Sequence, residues 1–600
     1  MRLSRVQIKN FRNFQNLDVK VGPNFVLVGE NKVGKSNLLY ALRLVFDPSL
    51  PDSARRLRIE DFWDGAKPLT SDTQISVSVD LTDFEDNEGH IAVLGDYLVG
   101  HSPMVARITY AFAPRADLES TPEQESDFDF AIYGKDDPTC LVSTHEVRQR
   151  FPLDLLAALR DAEADLANWR RSPLRPLLDA VSASMDADEK SELAEAISKA
   201  TKAITDTAEV AELEESITDT LLRIAGPKHG ISTSLAFAPT DTDRLLRTLR
   251  VFIENGARSI SEASLGTANL IYLALKMLEV EHEVEKEIRG HTILAIEEPE
   301  AHLHPHVQRR VYRAFLQPRA HQPATTDDDD DSGDRTIILT THSPHIASVT
   351  PLNSLVVLKS VGDPVETVAR STHGAGLSPT EIDDLERYLD VTRGELLFAK
   401  GVILVEGEAE TYLVPAFAKV LEIDLDELGI SVCSVAGTNF LPFVKLLGKK
   451  SLDIPFAVIT DEDPVEGKPC LAHKRVSTLV TFIDPDYEYS DKTGTLFGEA
   501  TDDGVFVTPH TLEIAIFECG RHKSVADTIE ELTDNGAAKT RASAWKEKPK
   551  TLDPARLLAD IEEIGKGRFA QRLAGYIAKR SGAACPESIK DAINHVVERV

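Results

Sequence analysis

The fold of the first half of the chain is decided by the stretch Gly29-Glu30-Asn31-Lys32-Val33-Gly34-Lys35-Ser36. It fits the pattern G-x-x-x-x-G-K-S, follows an apolar strand pattern at 25–28 and opens a helix pattern. Glycines let such a loop wrap closely around phosphates, while backbone N–H groups at the helix start face the anion. We expect Lys35 to reach the outer phosphates and Ser36 to ligate Mg²⁺. The residues predicted to bind ATP are Asn31, Gly34, Lys35, Ser36 and Asn37.

Two further strand patterns end in residues suited to phosphoryl transfer. The apolar segment 292–296 is followed by Glu297 and Glu298. Glu297 is predicted to hold the metal ion, and Glu298 to orient or activate the attacking water. His342 follows the apolar segment 336–340 and is predicted to sense or stabilise the γ-phosphate. The plainer alternatives are solvated acids at a strand end and a structural histidine, and the phosphate-binding loop favours the functional interpretation of both.

A serine and a glycine stand at the start of the helix pattern at 270–278. Ser264 and Gly266 belong to the segment Ser-Leu-Gly-Thr-Ala-Asn, which can form a second phosphate-binding surface. Together with the loop at 29–36, this segment resembles the signature of the ATP-binding-cassette (ABC) ATPases of the SMC and RecF type. In those ATPases the signature segment of one subunit closes on ATP held by another. The resemblance therefore implies at least a dimer.

The composition of the chain changes at 151–225. This segment is rich in Ala, Glu, Asp, Leu and Lys, with apolar residues at helical spacings, and we predict a helical insertion there. An oligomerisation element is favoured over a solvated spacer, because an exposed apolar helix face needs a partner. The predicted domains are a first ATPase part at 1–150, the insertion at 151–225, a second ATPase part at 226–375, a linker at 376–394 and a second α/β domain at 395–600.

Acidic residues follow two buried strand patterns after residue 400. The segment 402–405 leads to Glu406, and Glu410 lies about one helical turn further on. The segment 456–460 leads to Asp461 and Asp463. In a parallel sheet, the carboxyl ends of such strands meet at one edge. Four carboxylates converging there would need cations, and oxygen ligands predict Mg²⁺ or Mn²⁺.

This second pattern resembles the Toprim fold, which has a glutamate after its first strand and Asp-x-Asp after a later strand. The segment 8–14 resembles the opening of RecF-like ATPase heads, and the segments 297–305 and 406–410 are similar to those of the OLD (overcoming lysogenisation defect) family. Together the resemblance covers nearly the whole chain except 151–225. It implies that Glu513 helps bind a second metal ion and that Lys566 stabilises charge on the phosphate. A solvated helix acid and a plain surface lysine are the alternatives for these two residues.

The composition excludes several classes of protein. The chain has 600 residues, a net charge of −32 and 42% hydrophobic residues, so it is neither collagenous, nor of low complexity, nor a small disulfide scaffold. Its charge argues against a generally basic protein that coats nucleic acid, although part of that charge lies in a predicted acidic loop at 327–331. Five cysteines without a C-x-x-C pair favour reduced thiols in the cytoplasm. No run approaches the ~18 apolar residues of a membrane span.

The sequence therefore predicts an α/β protein, with an ABC-type P-loop ATPase domain that carries a helical insertion and is followed by a Toprim domain. The resemblance implies an ATP-hydrolysing, metal-dependent DNA endonuclease, in which one metal polarises water and another stabilises the leaving 3′ oxygen. It also implies a homo-oligomer acting in phage defence or DNA repair, with a possible accessory defence protein. The main alternative is a RecF-like, ATP-switched DNA-binding protein without nuclease activity. A third is an ATP-dependent sensor that recruits a partner protein.

Overall fold

The computed structural model describes residues 1–118, 120–158, 161–225, 235, 246–254, 258–316, 335–389, 393–464, 470–579 and 584–600. Its internal contacts divide the chain into two compact units. The first consists of residues 1–156, 293–300 and 304–600, and the second of residues 157–292 and 301–303. The predicted acidic loop at 327–331 lies outside the described residues.

The amino-terminal part of the first unit is built mainly from strands. Its elements are β1 (Arg2–Phe11), β2 (Phe14–Lys20), β3 (Phe25–Val28), α1 (Lys35–Phe46), α2 (Asp52–Arg55), β4 (Ile75–Thr82), α3 (Glu88–Leu94), β5 (Leu98–His101), β6 (Met104–Pro114), β7 (Phe128–Gly134), α4 (Thr144–Arg150) and β8 (Leu153–Leu156). Strands β2, β1, β4, β6 and β5 form an antiparallel sheet in that order, and β7 also pairs with β6. Strands β1 and β2 pair with Val6 opposite Val19 and Ile8 opposite Leu17.

The second unit is mainly helical. Its elements are α5 (Ala162–Ala167), α6 (Leu174–Ser184), α7 (Ala187–Thr205), α8 (Ala208–Ala225), β9 (Phe252–Ile253), β10 (Arg258–Ser259) and α9 (Leu265–Glu285). Helix α7 begins at a capping box in which Asp186 and Glu189 satisfy each other's backbone N–H groups. Helices α7 and α8 contact each other and leave Leu193, Ile204 and Leu213 exposed. These helices follow the apolar spacing predicted for the insertion.

The first unit continues with a second sheet. Its elements are β11 (Thr292–Glu297), α10 (Pro305–Leu316), β12 (Arg335–Thr341), α11 (Pro344–Ala347), β13 (Leu355–Val361), β14 (Glu366–Ser371) and α12 (Pro379–Tyr388). The strand order is β14-β13-β3-β12-β11-β8. Strand β3 pairs in parallel with both β12 and β13, which puts the ends of β3 and β12 side by side. This sheet therefore brings the loop after β3 next to the residues that follow β12.

Two predicted boundaries differ from the structure. The insertion was predicted to start at 151, but β8 (Leu153–Leu156) is a strand that pairs in parallel with β11. Its short run of apolar residues fits a buried strand as well as a helix, and the pairing with β11 selects the strand. The linker predicted at 376–394 contains α12, which begins at a capping box formed by Ser378 and Glu381.

The carboxyl-terminal part of the first unit is a parallel sheet surrounded by helices. Its elements are β15 (Gly401–Val405), α13 (Glu408–Val420), α14 (Leu425–Leu428), β16 (Ile430–Ser434), α15 (Leu441–Leu447), β17 (Phe456–Asp461), α16 (Leu471–Ile483), α17 (Thr493–Ala500), β18 (Val505–Thr508), α18 (Leu512–Ile516), α19 (His522–Leu532), α20 (Gly536–Glu547), α21 (Pro554–Ile564), α22 (Lys566–Lys579) and α23 (Glu587–Val597). The strand order is β16-β15-β17-β18, and all three pairings are parallel.

Burial explains why these strands form. Every residue of β15 is buried, as expected for a central strand covered on both faces. Helix α13 packs against α22, and α23 packs against β17 and β18, so the apolar faces of these helices close the core. In the described part of the chain, no helix combines the length and the apolar character needed to cross a membrane. The parallel arrangement places the ends of β15 and β17 at the same edge of the sheet.

Candidate functional site

The phosphate-binding loop connects β3 to α1. Gly34 precedes the helix with a backbone φ of 105°, in the left-handed region that favours glycine. The Lys35 Nζ donates hydrogen bonds to the carbonyl oxygens of Gly29 (2.7 Å) and Glu30 (2.9 Å). Burial lowers the pKa of Lys35, and the nearby Glu298, Glu300 and Glu297 oppose that shift. The ammonium group therefore lies within the loop, in the negative field of the acids that follow β11.

A hydrogen-bond network of polar side chains supports the loop and was not predicted from the sequence. The Asn13 Nδ2 donates to the carbonyl oxygen of Val33 (2.8 Å), which also accepts from the Thr367 hydroxyl (2.8 Å). Asn37, for which nucleotide binding remains a prediction, donates from its Nδ2 to the Asn13 Oδ1 (2.7 Å). Arg12 in turn donates to the Asn37 Oδ1 (2.8 Å). A hint was present in the sequence, since Arg12 and Asn13 lie in the segment 8–14 that resembles related ATPases.

Ser36 and Asn31 lie on the open side of the loop, where both are exposed. A cleft of about 1270 Å³ is lined by residues 29–33 of the loop, Asn31 included, and by parts of the carboxyl-terminal region. Lys445, Lys449 and Lys450 contribute to its wall. The Lys445 Nζ is paired with both carboxylate oxygens of Glu381, at 2.7 and 2.9 Å.

The structure brings Glu298 and His342 together. The Glu298 backbone, at a φ of 42°, donates its N–H to the carbonyl oxygen of Thr340 (3.2 Å). Its Oε1 lies 3.1 Å from the His342 Nδ1, and both side chains are partly exposed. Glu297 ends β11 beside them. These three side chains and Lys35 are the groups that phosphoryl transfer needs at one position.

The predicted signature residues lie in the second unit. The Ser264 side chain caps α9 by accepting a hydrogen bond from the Thr267 N–H (3.2 Å). Gly266 lies in the first turn, where a Cβ atom would stand 2.6 Å from the His302 carbonyl oxygen. Close packing of two backbones explains the glycine. The contact of this segment with ATP held by another subunit remains a prediction.

The predicted Toprim acids lie at the carboxyl edge of the parallel sheet. Glu406 follows β15 and accepts hydrogen bonds on its Oε1 from the Asp461 N–H (2.9 Å) and from the Thr460 hydroxyl. Asp461 ends β17 and is largely buried. Burial, followed by the charges of neighbouring acids, raises the Asp461 pKa from 3.8 to about 9. The acids that contribute are Glu406, Glu513, Glu410 and Asp463.

Glu410 and Glu513 belong to the same cluster. Burial raises the pKa of Glu410 to about 7, and the charges of Glu513 and Glu406 add to the shift. Glu513 lies on α18 and is 7% exposed, so it is not the solvated acid that the sequence left open. The Lys566 Nζ, at the start of α22, lies 3.7 Å from the Glu513 Oε1. The two residues implied by resemblance alone are therefore neighbours of the four derived from strand ends.

Arg475 is a member of this cluster that the sequence reasoning missed. It lies on α16, and its Nη1 donates to the Glu406 Oε1 (2.7 Å) while its Nη2 donates to the Asp463 Oδ2 (3.2 Å). Its side chain is largely buried. A single arginine in an amphipathic helix gives no sequence signal of this kind, because only folding brings α16 to the sheet edge.

The donor set fits divalent cations. Five carboxylates share one edge, and the raised pKa values of Asp461 and Glu410 indicate that protein cations do not fully compensate their charge. Oxygen ligands of this kind suit Mg²⁺ or Mn²⁺. Among the described residues, no three His, Cys, Asp or Glu side chains already stand in the geometry of a metal site. Ligation would therefore require side-chain rotation, including release of the Arg475 pair with Glu406.

Sequence comparisons match two separate parts of the chain to known domain families. A family model described as "AAA domain, putative AbiEii toxin, Type IV TA system" matches residues 25–348, more than half of the chain. A model of the Toprim domain of overcoming-lysogenization-defect-like proteins matches residues 397–463. The limits of the second match include Glu406, Glu410, Asp461 and Asp463, the four acids derived from strand ends.

Named relatives agree with these models. The OLD nuclease of Thermus scotoductus is 26% identical over 77% of this chain and 82% of its own length. The Old nuclease of Escherichia phage P2 is 25% identical over 74% of each chain. The solved carboxyl-terminal region of the Burkholderia pseudomallei OLD protein is 42% identical, covers 34% of this chain and 98% of its own, and has a TM-score of 0.32. The chain therefore belongs to the OLD family, with an AAA-type ATPase domain followed by an OLD-like Toprim domain.

Proposed function

We propose that this protein is an ATP-binding and ATP-hydrolysing, divalent-metal-dependent endonuclease that cleaves or nicks DNA. The observation that carries the proposal is the cluster of five carboxylates at one sheet edge, with the pKa of Asp461 raised to about 9. Such a cluster is costly without cations, and the same chain holds a complete phosphate-binding loop. The relatives named as nucleases support the reaction type.

Each residue of the ATPase site has a separate proposed role. The loop at 29–36 binds the phosphates through its backbone N–H groups, and Lys35 turns from its own carbonyls to the outer phosphates. Ser36 and Glu297 hold the Mg²⁺ that accompanies ATP. Glu298 orients the attacking water, and His342, 3.1 Å away, contacts the γ-phosphate and fixes the Glu298 carboxylate.

The Toprim site works through its carboxylates. Glu406, Glu410, Asp461, Asp463 and Glu513 hold divalent cations, Mg²⁺ or Mn²⁺. When bound, these cations lower the pKa of water and stabilise negative charge on the phosphodiester. Lys566, exposed beside Glu513, contacts the scissile phosphate and stabilises its charge. We place this activity in the cytoplasm, in a homo-oligomer of at least two subunits that acts in phage defence or DNA repair, alone or with an accessory defence protein.

Cleavage of a supercoiled plasmid tests the nuclease assignment. The wild-type chain is incubated with Mg²⁺ or Mn²⁺, with and without ATP, beside Asp461→Ala and the matched surface control Asp453→Ala. Asp453 is an exposed partner of Arg370 and lies outside the acid cluster. Wild type and Asp453→Ala should nick the plasmid, whereas Asp461→Ala should not. Equal nicking by all three proteins would exclude the Toprim acids as the nuclease site.

A second candidate function is favoured by Arg475. Its ion pairs with Glu406 and Asp463 neutralise part of the cluster without any metal, as expected of a structural site. In that case the chain is a RecF-like, ATP-switched DNA-binding protein. ATP-dependent retention of DNA without cleavage, under every metal condition and in wild type as in Asp461→Ala, would select this function.

A further inference from the structure

A buried carboxylate near the ATPase site, Glu300, has no role in the mechanism proposed above. Glu300 is 6% exposed and follows Glu297 and Glu298 in the loop between β11 and α10. Its Oε1 accepts a hydrogen bond from the Thr341 hydroxyl (2.5 Å), and its Oε2 accepts one from the Tyr312 hydroxyl (2.6 Å). Tyr312 and Thr341 are themselves fully buried. The carboxylate therefore joins α10 to the end of β12.

The partners of Glu300 lead directly to the residue that follows β12. Thr341 immediately precedes His342, and its Oγ1 accepts the backbone N–H of Ser343 (3.0 Å) while donating to Glu300. The backbone on both sides of His342 is thus tied to one buried carboxylate.

The same frame reaches Glu298. The Tyr312 hydroxyl also lies 3.2 Å from the carbonyl oxygen of Thr340. The Glu298 backbone N–H donates to that carbonyl oxygen at 3.2 Å. The same N–H also donates to the Thr340 hydroxyl oxygen at 3.2 Å. Glu298 holds a φ of 42°, a left-handed conformation that a non-glycine residue keeps only where its surroundings fix it. The contacts with Thr340 supply that constraint.

We propose that Glu300 is a positioning residue that, through Tyr312 and Thr341, sets the distance between Glu298 and His342 for ATP hydrolysis. The proposal rests on the ATPase activity proposed above. Buried polar groups rarely stand without partners, so loss of one hydroxyl leaves the remaining groups to rearrange. A displacement of about 1 Å at a reacting group can lower a rate by about a hundredfold. The Thr341 and Tyr312 variants retain the Glu300 carboxylate and therefore its field at Lys35, so ATP affinity should change little.

Paired substitutions at Thr341 test the hydroxyl. Thr341→Val removes the hydroxyl at nearly constant volume, whereas Thr341→Ser retains it. We expect at least a tenfold lower kcat for ATP in the valine variant, with the Kd for a fluorescent ATP analogue within twofold of wild type, and recovery of most activity in the serine variant. The control is Thr350→Val, which removes a buried hydroxyl bonded to the Ile346 carbonyl oxygen, outside this network. Its kcat should match wild type.

A double-variant comparison separates positioning from loss of stability. If Thr341 acts through His342, adding Thr341→Val to His342→Ala should lower kcat by less than twofold further. Tyr312→Phe removes the other hydroxyl that contacts Glu300 and should likewise lower kcat at unchanged ATP affinity. This variant keeps the proposal testable if Thr341→Val does not fold. The positioning role would be overturned if the two single-variant losses of kcat multiplied in the double variant. It would also be overturned if Thr341→Val and Tyr312→Phe both had the kcat of wild type. Neither result would contradict the proposed ATPase activity itself. Absence of ATP hydrolysis by the wild-type chain would remove the proposed function and this role with it.

Discussion

Replacing Asp461 with asparagine should stabilise the metal-free protein while it abolishes DNA cleavage. Asp461 ends β17, and burial followed by neighbouring acids raises its pKa from 3.8 to about 9. Asparagine has nearly the same shape and carries no charge at any pH. The substitution therefore removes the repulsion that the bound cations would otherwise relieve, together with a ligand that the proposed reaction needs.

The magnitude follows from proton linkage. Below about pH 4, Asp461 is protonated in the folded and the unfolded chain. As the pH rises from there towards about 9, the folded metal-free chain keeps a proton that the unfolded chain releases, so stability falls with rising pH. At pH 7 the interval above the unfolded pKa is about 3 units, each worth about 1.4 kcal/mol. Retaining that proton at pH 7 thus costs the folded chain up to about 4 kcal/mol of stability relative to asparagine, and this cost is the same for any folded pKa well above 7.

Thermal unfolding of the full chain in EDTA measures this difference. For a region of about 200 residues, 1 kcal/mol shifts Tm by roughly 2–4 °C, so a gain of about 4 kcal/mol should raise the melting temperature by about 8–16 °C at pH 7. The difference should grow between pH 5 and pH 8, and excess Mg²⁺ should narrow it because the wild type binds the metal more tightly. Asp453→Asn, at a surface pair with Arg370, serves as the control without a gain. Equal melting of Asp461→Asn and wild type at every pH would mean that the Asp461 carboxyl does not destabilise the metal-free protein.

Three further predictions concern single residues. Arg475→Gln removes the cation paired with Glu406. Calorimetry should then show several-fold tighter Mg²⁺ binding and a lower melting temperature of the metal-free protein, and weaker Mg²⁺ binding would contradict this prediction. Gly34→Ala introduces a Cβ that overlaps the Asn13 amide at a φ of 105°, so ATP affinity should fall at least tenfold in a fluorescence titration, and unchanged affinity would mean that the loop adjusts freely. Lys566→Ala should lower plasmid cleavage at least tenfold with ATP hydrolysis unchanged, and an equal loss of both activities would place Lys566 outside the nuclease site.

Residues whose role depends on a local pattern could be predicted from the sequence. Glu406 and Asp461 follow short apolar runs, and the structure ends β15 and β17 at these positions because buried parallel strands need such runs. The same reasoning located Glu298 and His342, which the structure brings to 3.1 Å. In each case a few consecutive residues contain both the apolar run that predicts the strand and the side chain that supplies the chemistry.

Residues whose role depends on distant contacts could not be predicted in this way. Arg475 reaches Glu406 across 69 positions, and Thr341 reaches Glu300 across 41. Arginine in amphipathic helices and threonine in buried strands are common, so nothing in their spacing distinguishes these two residues from other surface or core residues. Strand β8 was missed for a related reason, because its pairing with β11 decides between a strand and a helix that the short apolar run leaves open.

The two acidic sites differ in what compensates their charge, and this difference predicts how each depends on metal. Around the ATPase acids, His342 lies at Glu298 and the Lys35 ammonium is nearby, while hydrogen bonds from Thr341 and Tyr312 partly offset the rise that burial causes in the pKa of Glu300. In the Toprim cluster Arg475 and Lys566 leave the pKa of Asp461 near 9. The ATPase frame is therefore already organised without cations, whereas the Toprim cluster gains stability from each cation that it binds. Chelation should accordingly lower the melting temperature through the Toprim region first and leave the contacts between Glu298 and His342 in place.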